Sequence, residues 1–93
     1  VSGSIAEKMA LIMHEMGQAD RQVISITHLP QIAARGAVHY KVYKEDTETG
    51  TNSHILQLSQ EERINEIANM LSGATLTDAA LNNAKALLNN ELL

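Results

Sequence analysis

The sequence predicts an α/β fold, and three patterns carry that reading. Val23, Ile24 and Ile26 form a short apolar run without polar alternation, the mark of a strand buried on both faces in the middle of a sheet. Apolar residues at helical spacing precede it, beginning at Ile5, and recur after Ser59. Two runs of period two, near 38–43 and 53–58, lie between and are separated by polar residues, as in a β-hairpin.

Taken in chain order, Ser4 and Glu7 have capping-box spacing, and Ile5, Met9, Ile12, Met13 and Met16 repeat at helical intervals up to Gly17. A first helix is predicted there, with the methionines as core packing rather than a binding face. The buried strand follows at 22–27. Pro30 then opens a short helix to Arg35, closed by Gly36; proline suits that place because the first helical N–H has no intrahelical partner. Val38, Tyr40 and Val42 alternate with His39, Lys41 and Tyr43, and residues 53–58 supply the second hairpin strand. The acidic, threonine-rich residues 45–52 read as a solvated tip. Ser59 and Glu62 form another capping box before Ile64, Ile67, Ala68 and Leu71, which end at Gly73. Thr77 caps a last helix that turns Ala80, Leu81, Ala84, Leu87 and Leu88 inward. No repeat or low-complexity tract divides the chain, so residues 1–93 read as one unit.

Composition narrows the functional classes. With no Phe, no Trp and two Tyr, the core must be aliphatic. The absence of Cys excludes disulfides, thiolate chemistry and cysteine-type zinc sites. No run of about 20 apolar residues points to a bilayer, so no membrane partner and a cytoplasmic location are expected. A net charge of −4 argues against a broad nucleic-acid-binding surface built from these residues. The buried strand also has too few neighbours here to cover both its edges. The expectation is therefore a C-terminal part of a larger α/β domain, whose uncovered edges and apolar face make the isolated chain self-associate.

His28 is the leading candidate for chemistry. It stands at the carboxyl end of the predicted buried strand, the edge at which open α/β sheets bind ligands. A histidine in such a place is ordinarily a loop residue bonded to backbone, and only the residues around it argue otherwise. His14 lies off the apolar stripe of the first helix and reads as solvated. His39 and His54 fall on the two hairpin strands without an evident third metal ligand, so no metal site is predicted. Glu61 and Glu62 suit the first turn of a helix, where negative charge meets the dipole, better than paired-carboxylate catalysis.

The run Ile26-Thr27-His28-Leu29-Pro30-Gln31-Ile32-Ala33-Ala34, preceded by Val1-Ser2-Gly3 and a methionine-rich helix, carries a resemblance, as does the Glu-Glu-Arg-x-x-Glu-Ile-Ala-x-Met-Leu-Ser-Gly run at 61–73. Over essentially the whole chain the sequence resembles the C-terminal end of the ATPase head of bacterial DNA repair proteins in the structural-maintenance-of-chromosomes group, which carry an ABC-type head. The resemblance implies a partial head of P-loop NTPase fold, a central buried strand plus a β-hairpin with helices around them. It also implies ATP-driven dimerisation of two heads in recombinational repair of DNA double-strand breaks, close to the nucleoid. His28 would be the switch histidine that reaches the γ-phosphate. Ser2 and Gly3 would be the end of the nucleotide-binding loop after Walker B, touching the partner head.

The sequence departs from a complete head. It has no G-x-x-x-x-G-K-[ST], no ABC signature and no acidic pair after an apolar strand, and Lys8, Lys41, Lys44 and Lys85 lack a glycine-rich setting. ATP and magnesium are thus expected to be held by the remainder of the same head, none bound to these residues alone, and the isolated chain is expected to be inactive. The implied partners are that remainder, a second head in a homodimer, and DNA through the full-length protein. The alternative reading is a small non-enzymatic interaction domain that docks a partner on its sheet edge and leucine-rich last helix.

Overall fold

The computed structural model describes residues 3–73 and 75–89, which form α1 (Gly3–Gln18), α2 (Pro30–Arg35), β1 (Tyr40–Thr47), β2 (Gly50–Gln57), α3 (Gln60–Ser72) and α4 (Asp78–Leu88). The two best-capped helices lie where sequence chemistry places them. At the start of α3 the Glu62 N–H donates to Ser59 Oγ at 3.2 Å, while the Ser59 N–H donates to Glu62 Oε1 at 2.9 Å. Two donors that the first turn would leave orphaned are thereby satisfied. The helix stops at Gly73, whose φ of 84° is open to glycine, and whose N–H donates to the Asn69 carbonyl at 2.8 Å. Thr77 Oγ1 accepts from the Ala80 N–H at 3.0 Å and opens α4.

These two helices build the core. Ile67 and Ala68 of α3 meet Ala80, Ala84 and Leu87 of α4, and Ala34 of α2 completes the cluster. Ile67 is the one large side chain buried completely among the described residues; its burial stabilises the fold by about 1.5–3 kcal/mol. The preponderance of alanine allows close helix approach but buries little area per residue. α2 packs against α1, α3 and α4 and joins the amino-terminal helix to the core.

The strands form one antiparallel sheet in the order β1-β2, with Thr47 opposite Gly50 and Tyr40 opposite Gln57. The polar tip is tighter than the sequence suggests, a turn at Glu48 and Thr49. Gly50 takes a φ of 136° there, and Thr47 Oγ1 donates to its carbonyl at 2.8 Å. Tyr43 and His54 stack across the ladder with ring centroids 5.1 Å apart.

Two expectations are corrected. The first is the central buried strand: residues 21–27 belong to no strand, Ile24 is 81% exposed and Ile26 is 100% exposed. A strand requires a hydrogen-bonded neighbour, and no other strand lies beside this segment among the described residues. The second is the face of α1 that packs inward. The helix buries Ala6 and Ala10, whereas Ile5, Met9, Ile12 and Met16 are exposed. Small residues let α2 approach closely, while the larger side chains remain largely in solvent. The helix also begins at Gly3, which puts Ser4 inside it rather than at its cap, and runs past Gly17. The chain leaves it through Asp20, whose φ of 59° is tolerated by a short polar side chain.

The uncovered apolar surface registers in the global dimensions. The accessible area is 6701 Å², against roughly 5,300 Å² for a folded monomer of this mass. The radius of gyration is 14.4 Å, against about 12 Å for a chain of this length.

Candidate functional site

His28 lies in the turn that leads into α2, and the local backbone is fixed on both sides of it. The Leu29 N–H donates to Thr27 Oγ1 at 3.0 Å, a bond that straddles the histidine. Leu29 is extended, with φ −97° and ψ 121°, as the residue before a proline must be. Its carbonyl then accepts from the Ile32 and Ala33 N–H groups at 3.1 and 3.0 Å, so the helix begins immediately after the histidine. The imidazole is exposed.

A groove of about 1,050 Å³ opens beside this turn, between α1, the 22–28 segment, α2 and the hairpin. His28, Ile24, Ile26, Val38, Val42 and Ile55 are on its wall. The exposed apolar residues of the overturned strand thus share one concave surface with the candidate histidine. Gly3 lies against α2: a Cβ there would come within 3.7 Å of Gln31 Nε2. That separation is ordinary contact, so sterics alone do not require glycine. Ser2 lies outside the described residues.

Charge at the carboxyl end of α2 comes from Arg63, the one buried charged residue among those described. Its Nη2 donates to the Gly36 carbonyl at 2.6 Å and to the Ala34 carbonyl at 3.4 Å, and its Nη1 donates to the Ala37 carbonyl at 3.4 Å. A guanidinium facing the carbonyl end of a helix is favoured by the dipole as well as by hydrogen bonding. Burial lowers the Arg63 pKa, but the group remains charged. The sequence reading passed over this residue. The signal was a cation four positions before Ile67, on the buried stripe of α3.

The two hairpin histidines are not brought together. His54 faces Tyr43, and the His39 carbonyl accepts from the Leu58 N–H at 2.9 Å, which leaves them four register positions apart, about 13 Å along the ladder. His54 Nε2 lies 3.0 Å from Glu45 Oε2, close enough for an ion pair but without hydrogen-bond geometry. Burial, then the Arg63 charge, push the His39 pKa below 6.5, with Glu66 opposing. Among the described residues no group of three His, Asp or Glu side chains is arranged to hold a metal. With no phosphate-loop motif either, the residues present do not by themselves fit a magnesium-bound nucleotide. No described helix is long and apolar enough to cross a membrane.

Among the described residues, helices packed on one another and one antiparallel hairpin, with an apolar flank left open, define a segment of α/β type. Comparison with known proteins gives the family. The chain is 53% identical over 68 residues to the DNA repair protein RecN of Deinococcus radiodurans, a match covering 73% of this chain and 12% of that protein. It is 38% identical over 88 residues to RecN of Vibrio cholerae, covering 95% of this chain and 16% of the relative. RecN of Bacillus subtilis gives the same identity, with 95% and 15% covered. No family model matches the chain. The chain belongs to the RecN family and corresponds to its C-terminal part. It spans between 12% and 16% of the length of these relatives.

Proposed function

We propose that these residues complete the ATP-hydrolysing head of a DNA repair protein and supply its switch histidine, His28. The observation that carries the reading is the placement of His28: exposed, at the lip of the apolar groove, with its backbone held by the Thr27–Leu29 turn and the start of α2. The relatives are DNA repair proteins, which supports the class of protein.

In this reading the groove receives the strands of the remaining head, and residues 22–27 pair with them. His28 then stands at the carboxyl edge of the restored sheet. The imidazole there donates one hydrogen bond to a terminal phosphate oxygen of ATP and helps to orient the attacking water. Gly3, and Ser2 before it, end the loop that meets a second copy of the head. ATP and magnesium are held outside these residues, and so is most of the DNA contact, in keeping with the charge of −4. The protein works in the cytoplasm, at the nucleoid.

The test is His28→Ala in the full-length protein. ATP turnover should fall by about a hundredfold or more, with KM for ATP changed far less. Unchanged turnover would remove the catalytic assignment and leave the interaction-domain reading standing.

A further inference from the structure

We propose that Arg63 is a positioning residue for His28, acting through α2. The inference rests on the reading of His28 given above. α2 has six residues, too few to be stable in isolation, and its end lacks the usual closure. Gly36 has φ −65° and ψ 139°, so the left-handed turn that would satisfy the last carbonyls is not made.

Arg63 supplies the missing partners. Its guanidinium reaches the carbonyls of Ala34, Gly36 and Ala37, spanning the last turn and the exit of α2. It comes from the first turn of α3, which the Ser59–Glu62 capping box anchors and whose Ile67 sits in the core. A rigid helix thus holds the carboxyl end of α2, while the histidine lies two residues before its amino end. Loss of the clamp frees a short helix to shift and carries His28 with it. Displacements near 1 Å at a reacting group can cost about a hundredfold in rate.

The test is a double-mutant cycle in the full-length protein with Arg63→Met, Arg63→Lys and His28→Ala. Arg63→Met should lower kcat by about tenfold or more with little change in KM, and Arg63→Lys, which keeps the charge but not the planar fork, should lose less. On the His28→Ala background neither change should lower kcat further. Backbone amide exchange read by mass spectrometry should quicken over residues 29–36 in Arg63→Met, and to a smaller extent in Arg63→Lys. If the methionine variant does not fold, the lysine variant carries both readouts. Losses that multiply with His28→Ala, or unchanged exchange over 29–36, would overturn the role of Arg63 alone. Wild-type turnover of the single His28→Ala variant would overturn the reading of His28 and this proposal with it.

Discussion

Lys41 Nζ lies 2.8 Å from Glu66 Oε2, and this ion pair ties strand β1 to helix α3 across an open cleft of about 440 Å³. The hairpin makes no close backbone packing with any described helix, and the pair is a side-chain tie between the two. Lys41 is 43% exposed, and its pairing is screened accordingly. A double-mutant cycle with Lys41→Met and Glu66→Gln should give a coupling of about 0.2–1 kcal/mol by urea unfolding, smaller in high salt. A coupling independent of salt would mean that the cleft is closed in solution.

Two isoleucines should respond in opposite ways to truncation. Ile67→Ala removes the one large side chain fully buried in the described core and should cost about 2–5 kcal/mol. Ile26→Ser changes a side chain exposed over its whole surface and should stay within about 0.5 kcal/mol of the parent. Urea unfolding of the chain reads both. A large cost for Ile26→Ser would show that residues 22–27 pack against something in solution.

Stability should fall in two steps on the acid side. His39 is held neutral below its ordinary pKa of 6.5, first by burial and then by Arg63, so under pH 6.5 the unfolded chain binds more protons there and stability drops. Glu62 is held below 4.5 by the Ser59 N–H and then by its hydroxyl, so its contribution is full above pH 4.5 and disappears as pH falls through its folded value. His39→Gln should flatten the first step, and Ser59→Ala should weaken the second while costing about 1 kcal/mol at neutral pH through loss of the cap. Melting temperatures across the pH range check both.

The exposed stripe of α1 and the open groove predict association of the isolated chain. Sedimentation at rising concentration should show increasing mass, and combined Ile24→Ser and Ile26→Ser substitutions should reduce it. A clean monomer at high concentration would contradict the expectation.

Local chemistry made most elements legible in the sequence. The Ser59–Glu62 box, Thr77 and Gly73 each act through bonds to residues at most four positions away, Pro30 acts through its own fixed φ, and each stands where the spacing put it. The hairpin was legible from alternation, although its tip is shorter because the threonines continue the ladder to Thr47 and Gly50. The 22–27 strand and the buried face of α1 were misjudged for one reason: hydrophobicity reports what a segment is suited to bury against, not whether the partner is at hand. Ile24 and Ile26 carry a strand's composition without a neighbouring strand. Of the candidate site, the turn at His28 and the helix start after it were legible from Thr27 and Pro30, whereas the contacts of Arg63 were not, because its partners are backbone carbonyls that no side-chain pattern announces.

The most direct measurement is a crystal structure of the full-length protein with a non-hydrolysable ATP analogue. The account predicts residues 22–27 hydrogen-bonded as an interior strand and an imidazole nitrogen of His28 within hydrogen-bonding distance of a γ-phosphate oxygen, about 2.7–3.2 Å. A His28 ring turned away from the phosphate, with that segment still unpaired, would contradict it.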